Sequence, residues 1–112
     1  MKNLKFTPHL MKMIIDGQKT ATWRFFDDKN LTVGDKLELI NKDTGEVFNH
    51  AEIISIREKP LGDVTEADFD GHEKFKNKEE MLETYRGYYG DKVGWDTVVK
   101  MIDFKLVFKE DA

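Results

Sequence analysis

The stretch of the chain with the highest density of reactive and hydrogen-bonding side chains is residues 17–24, Gly-Gln-Lys-Thr-Ala-Thr-Trp-Arg. It follows a predicted helix and opens a predicted strand, and such junctions often place side chains at a cleft. On a strand, Thr20, Thr22 and Arg24 face one side, which would present two hydroxyl groups and a guanidinium to a polar ligand. Lys19, just after the glycine turn, can reach the same side. The simpler interpretation is a β-branched strand with solvated charges at its ends.

The Gly-Gln-Lys-Thr sequence is not a phosphate-binding P-loop. A P-loop requires a second glycine upstream and a helix after the Lys-Thr pair. In this chain the predicted helix comes first and the strand follows.

Glu73 is the candidate carboxylate for the same region, because it lies in a polar link between two helical segments. It could pair with Lys19 or Arg24, or it could face water. The chain has no cysteine, and its three histidines are His9, His50 and His72. Their spacing is not that of metal ligands. We therefore expect no metal site, no cofactor and no thiolate nucleophile.

Aromatic side chains could provide a stacking surface for a nucleobase. The candidates are Trp23, Phe25, Phe26, Tyr85, Tyr88, Tyr89 and Trp95. Aromatic residues on strands more often belong to the core. Tyr88 and Tyr89 lie between glycines in a predicted loop, where there is less core to fill, and are therefore the predicted ligand-binding pair.

Length, charge and hydropathy limit the number of domains, the class of ligand and the location of the protein. The 112 residues predict one domain spanning residues 1–112, with a formal net charge of −4. The acidic excess lies in residues 57–112, whereas residues 1–56 are balanced. This charge makes binding to duplex nucleic acid over the whole surface unlikely, but leaves room for a local basic cleft or a weakly charged ligand. No apolar run is as long as a membrane span and the first ten residues lack the apolar stretch of a signal peptide, so we expect a cytoplasmic protein. We also expect a monomer.

The order of the predicted elements favours an α+β fold. Strands are predicted at residues 4–6, 20–26, 36–41, 46–58 and 96–108, with a hairpin turn at residues 43–45. Helices are predicted at residues 9–16 and from the Asn77 cap to about residue 86, ended by Gly87, with a helical turn at residues 65–69. Because most strands are adjacent in sequence, we expect a small, mostly antiparallel barrel of about five strands with two to three packed helices.

The run Gly17-x-Lys19-Thr20-x-Thr22-x-Arg24 resembles the signature of the ASCH domain family, which belongs to the PUA-like superfamily of small β-barrels. The turn at residues 33–35, the segment from Glu73 to the helix that follows it and the last strand are similar to other parts of that family. The resemblance therefore covers nearly the whole chain and implies a PUA-like barrel.

The resemblance also implies functions. The family as a whole is associated with RNA binding, and one bacterial branch removes the acetyl group from N(4)-acetylcytidine. Carried over by motif position, the catalytic residues of that branch are Lys19, Thr22 and Glu73, with Glu79 or Glu80 as alternative carboxylates. A threonine hydroxyl becomes nucleophilic when a base takes its proton, and a lysine serves as that base when desolvation or a second cation lowers its pKa.

Two functions follow as alternatives. The first is a metal-independent amidohydrolase in which Lys19, Thr22 and Glu73 act on an acylated nucleoside. The second is a module that binds single-stranded RNA or a nucleotide in the same cleft, with Thr20, Arg24, Tyr88 and Tyr89 as ligand contacts. The acidic average favours a neutral nucleoside over a polynucleotide.

Overall fold

The structure is a computed structural model and describes residues 1–107. Its strands are β1 (Lys2–Phe6), β2 (Ala21–Arg24), β3 (Lys36–Asn41), β4 (Val47–Pro60) and β5 (Val98–Val107). Its helices are α1 (Pro8–Ile15) and α2 (Lys78–Tyr89), and two short 3-10 turns span Leu61–Asp63 and Glu66–Phe69.

The five strands form one curled sheet in the order β1-β3-β4-β5-β2. The β1–β3 pair is parallel, and the other three pairs are antiparallel. The α+β class and the mostly antiparallel sheet are therefore confirmed, in the form of a half-barrel with two helices. The two edge strands approach each other where the Arg24 side chain donates a 3.2 Å hydrogen bond from Nη2 to the backbone oxygen of Lys5.

The apolar side chains form two clusters. One lies between the sheet and α1 and includes Phe6, Leu39 and Ile53. The other, built on Trp23 and Tyr85, packs α2 and the 3-10 turns against β2 and β5. The candidate site lies where β1, β2 and α2 meet, between these two clusters.

The sequence placed the end of α2 incorrectly. Gly87 does not end the helix, which continues through Tyr89 and is capped by Gly90 at a φ of +93°. Tyr88 and Tyr89 therefore lie on the last turn of a helix and not in a loop. Packing explains the extension, because the Tyr89 ring lies 5.3 Å from the Phe25 ring and tertiary contacts of this kind outweigh the cost of about 1 kcal/mol of a helical glycine.

The end of β2 also differs from expectation. β2 ends at Arg24, because Phe26 takes a positive φ of 54° that breaks the extended backbone. β5 is described as far as Val107, and Phe108, the expected last residue of that strand, lies outside the described residues. Neither α1 nor α2, the helices of the described part of the chain, is long and apolar enough to cross a membrane.

Candidate functional site

The backbone around residues 17–21 fixes the motif in place. Gly17 adopts a φ of +79°, and the amides of Gln18 and Lys19 both donate to the Met13 carbonyl as the chain leaves α1. The amides of Thr20 and Ala21 then donate to the Gly71 carbonyl at 2.8 and 3.0 Å. This contact ties the motif to the segment that carries Glu73.

Lys19 and Glu73 form a close ion pair although they are 54 positions apart. Lys19 Nζ lies 2.6 Å from Glu73 Oε2. The Lys19 side chain is 1% exposed, whereas that of Glu73 is 26% exposed and lines a cavity, called the site cavity below, together with Thr22 and Arg24. The ammonium group is thus buried, and the carboxylate is the member of the pair that lines the cavity.

The environment shifts the pKa of both groups downward. Burial lowers the pKa of the Lys19 amine, Glu73 opposes this shift, and the positive charge of Arg24 adds to it. Burial alone would raise the pKa of Glu73, but the charge and hydrogen bond of Lys19, together with His72, hold it below its ordinary value. The result is a carboxylate that stays ionised beside an amine that loses its proton more readily than a free lysine does.

Thr22 and Arg24 line the same cavity from β2. The Thr22 side chain is buried, and its Oγ1 accepts a 3.3 Å hydrogen bond from Arg24 Nε. The guanidinium carbon also lies 4.9 Å from the centre of the Phe6 ring. These contacts, with the bond to Lys5, hold the cation beside the hydroxyl group. Within residues 1–107, no hydrogen bond joins Lys19 directly to Thr22.

His72 is a site residue that the sequence did not indicate. Its ring is stacked 4.2 Å from the Trp23 ring, and Nδ1 lies 2.7 Å from the Glu73 backbone oxygen, which makes Nδ1 the protonated nitrogen. Nε2 is then free to accept the Tyr85 hydroxyl, at 3.3 Å. Burial, assisted by the charge of Lys19, lowers the pKa of His72 to about 4, so the ring is neutral at pH 7.

The site cavity, the one lined by Thr22, Arg24 and Glu73, has a volume of about 240 Å³. Its walls come from the end of β1 and the start of α1, from β2, from the segment of His72 and Glu73, and from α2. Its lining includes the polar side chains of Lys5, Thr22, Arg24, Lys42, Glu73 and Tyr88. Tyr85 and Tyr89 also line it, and Tyr88 is 56% exposed at its edge. The volume of the cavity and the tyrosines in its lining suit a planar ring of nucleobase size.

The other candidates named from the sequence lie elsewhere. Thr20 is exposed and is not part of the cavity wall, because it precedes β2 and its backbone is engaged by Gly71 and Phe104. Glu79 and Glu80 are exposed in the first turn of α2, where Glu80 Oε1 accepts from the amide of Lys76. Among residues 1–107, no group of three or more His, Asp or Glu side chains could hold a metal ion.

Three lining positions had no local signal in the sequence. Lys5, Lys42 and His72 reach the cavity through the β1–β3 pairing and the stacking of His72 on Trp23. Both are contacts between segments far apart in the chain. A pattern search over short windows does not detect them.

No protein-family model and no curated protein matches the chain by sequence. Solved structures do match its fold. An ASCH domain from Lactobacillus crispatus superposes with a TM-score of 0.67 at 21% identity, over 88% of this chain and 70% of that one. A variant of the ASCH protein from Zymomonas mobilis superposes with a TM-score of 0.66 at 12% identity, over 94% of this chain and 73% of that one. A protein from Enterococcus faecalis with the family description DUF984 superposes with a TM-score of 0.72 at 16% identity, over 88% of this chain and 70% of that one. The chain therefore has the fold of ASCH domains.

Proposed function

We propose that the protein hydrolyses the amide bond of an acylated nucleobase amine, with N(4)-acetylcytidine or a similar nucleoside amide as substrate. The observation that carries the proposal is the buried Lys19–Glu73 pair beside a cavity of nucleobase size whose wall includes Thr22. A desolvated lysine with a lowered pKa is the kind of group that acts as a base near neutral pH. The likeness of the fold to that of an ASCH domain supports the same interpretation. In addition, residues 17–24 resemble the motif of the deacetylating branch of that family.

In the proposed reaction, the neutral amine of Lys19 takes the proton of the Thr22 hydroxyl, and the Thr22 oxygen attacks the carbonyl carbon of the acyl group. The bond from that carbon to the exocyclic nitrogen then breaks. The nitrogen leaves as the free amine of cytosine, with the proton that Lys19 returns to it. Water hydrolyses the ester on Thr22 with Lys19 again as base, which restores the hydroxyl and releases the carboxylic acid.

The neighbouring groups have distinct roles in this scheme. Glu73 holds the lysine and compensates its charge when it carries the proton. The guanidinium of Arg24, bonded to Thr22 Oγ1, favours the deprotonated form of that hydroxyl. Since Lys19 and Thr22 share no direct hydrogen bond, the proton crosses through one water or after the cavity tightens around the substrate.

The test is incubation of the protein with N(4)-acetylcytidine and chromatography of the product. Lys19→Met and Thr22→Ala should each lower turnover by about 100-fold or more, and Thr22→Ser should retain more of it than Thr22→Ala. The matched controls are Lys12→Met and Thr44→Ala, both at exposed positions away from the cavity. Mass spectrometry of the quenched protein should detect an acetyl group on Thr22. Absence of turnover by the unaltered protein would overturn the proposal.

The second candidate is a module that binds RNA or a nucleotide in the same cavity without chemistry. The observation that favours it is the absence of a direct Lys19–Thr22 hydrogen bond in the described residues. It predicts affinity for single-stranded RNA that falls steeply as salt is added. Binding without turnover, retained in Thr22→Ala, would favour this function over hydrolysis.

A further inference from the structure

The lining of the cavity is positively charged, whereas the whole protein is negatively charged. The chain has a net charge of −4. The residues that line the site cavity nevertheless include three basic side chains, Lys5, Arg24 and Lys42. Glu73 is the one acidic residue in that lining, as far as the described chain goes, and its charge is compensated by Lys19. Since His72 is neutral at pH 7, the cavity carries an excess of positive charge.

The two lysines lie on or next to the paired strands β1 and β3. Both are exposed residues, and both line the cavity. Lys5 lies on β1, and Lys42 follows the end of β3, where its amide donates a 2.8 Å hydrogen bond to the Phe6 carbonyl. Neither ammonium group has a carboxylate within 4.0 Å among residues 1–107, although Lys2 and Lys36 on the same two strands are paired with Asp35 and Glu52.

Arg24 lies between Lys5 and Thr22 and is bonded to both residues. Its Nε and Nη2 are used in bonds to Thr22 and to the Lys5 backbone, which fixes the orientation of the guanidinium. Since a guanidinium has five N–H donors, donors remain to bind an anion. Tyr85, Tyr88 and Tyr89 of α2 line the same cavity, so its lining offers cations for a charged group of a ligand and aromatic rings for a base.

We propose that the physiological ligand carries a phosphate on its ribose, and that Lys5, Lys42 and Arg24 bind this phosphate while the acylated base packs against the tyrosines of α2. This inference rests on the proposed function and names its substrate class, an acylated cytidine nucleotide instead of the neutral nucleoside that the sequence favoured. The phosphate comes either from a mononucleotide or from the backbone of a single strand, and the chemistry of recognition is the same for both.

The experiment compares kcat/KM for four substrates at low salt. They are N(4)-acetylcytidine, its 5′-monophosphate, its 3′-monophosphate and a short single-stranded RNA with one internal acetylated cytidine. We expect at least one phosphorylated substrate to exceed the nucleoside by about tenfold, which corresponds to about 1.4 kcal/mol. The advantage should shrink as sodium chloride is added, because both lysines are exposed. A preference for a mononucleotide or for the RNA identifies the source of the phosphate.

Single variants assign the effect to the lysines. Lys5→Gln and Lys42→Gln should each reduce the ratio of kcat/KM for the preferred phosphorylated substrate to that for the nucleoside. Lys12→Gln, an exposed lysine of α1 outside the cavity, makes the same change in charge and should leave the ratio unaltered. Equal kcat/KM for the nucleoside and every phosphorylated form would overturn the inference while leaving the proposed hydrolysis intact.

Failure of the hydrolysis itself gives a different result. If no substrate is deacylated, calorimetry with cytidine, its two monophosphates and the unmodified RNA still measures the phosphate site. Tighter binding of any phosphorylated form, weakened in Lys5→Gln and Lys42→Gln, supports the phosphate site without catalysis. Equal or undetectable binding of all forms overturns it.

Discussion

The ammonium group of Lys19 is bonded to the carboxylate of Glu73 at 2.6 Å, and the two side chains differ sharply in exposure, at 1% and 26%. This asymmetry determines which partner depends more on the other. An isolated ammonium in the interior has no water to replace the lost ion pair, whereas Glu73 can still be solvated from the cavity. The pair is therefore an element of stability as well as of the candidate site.

Glu73→Gln should destabilise the fold more than Lys19→Met. We expect a loss of about 3 kcal/mol in the free energy of unfolding for Glu73→Gln, at the lower end for a broken buried pair because Glu73 is partly exposed. In the Lys19→Met background, the same Glu73→Gln change should cost much less, because no buried charge remains. Urea unfolding of the four proteins of this double-mutant cycle measures both values. Equal losses for the two single variants would contradict the assigned asymmetry.

The pH dependence of hydrolysis should report the proton on Lys19. Lys19 is a base only when deprotonated, so kcat/KM should rise with pH and level off above its pKa, which burial places below the ordinary value of 10.5. Glu73 raises this pKa and Arg24 lowers it. Glu73→Gln should therefore move the midpoint of the profile to lower pH, and Arg24→Gln should move it to higher pH.

The opposite signs make this a sharp test, because simple damage to the site lowers the rate without moving the two midpoints apart. Rate profiles of the unaltered protein and both variants, each measured from neutral pH upward, are sufficient. Coincident midpoints would show that Lys19 is not the base. Lys12→Gln serves as the control for a change of charge remote from the cavity.

Protonation of His72 should destabilise the fold in mildly acidic solution. Its pKa is lowered from 6.5 to about 4 by burial, with the charge of Lys19 adding to the shift. The folded state therefore binds fewer protons than the unfolded state between these values, and stability is fully present above pH 6.5 and falls as the pH approaches 4. Between pH 7 and pH 5 we expect a loss of about 2 kcal/mol from this group.

Urea midpoints at pH 7 and pH 5 measure that loss. His72→Gln removes the titrating ring, so its stability, whatever its value at pH 7, should change much less between the two pH values. His9→Gln removes an exposed histidine of α1 and should keep the full dependence. The window lies above the range in which Glu73 and Asp68 take up protons, because the pKa of each carboxyl is held below its ordinary value. An unchanged dependence in His72→Gln would refute the assignment.

The sequence predicted the features that depend on local patterns. The Gly17 turn, the Asn77 cap and the hairpin at residues 43–45 are set by a few neighbouring residues, and the structure has all three, with Asn77 Oδ1 accepting from the Glu80 amide at 2.8 Å. The α+β class followed from the order of these elements. The parallel β1–β3 pair was not predicted, because strand order depends on contacts between distant segments.

The site was only partly predictable for the same reason. Residues 17–24 identify the junction, but nothing within them indicates that Lys19 is almost fully buried or that its partner lies 54 positions away. The role of His72 depends on stacking with Trp23 and on Tyr85, which the linear sequence does not place nearby. The positive lining of the cavity arises in the same way, from Lys5 and Lys42 on paired strands.

Two glycines offer a matched test of the end of α2 and of the motif junction. Gly87 lies within α2 with helical backbone, and a Cβ placed there meets no atom within 4 Å. Gly87→Ala should therefore stabilise the protein by about 1 kcal/mol, since alanine is the better helix former. Gly71 has a φ of +77°, and a Cβ there would clash with Thr20 Oγ1. Gly71→Ala should destabilise by more than that gain and, because the Gly71 carbonyl binds the amides of Thr20 and Ala21, should also impair the function of the site. Thermal unfolding and the deacylation assay measure both effects, and a destabilising Gly87→Ala would contradict the continuation of α2 to Tyr89.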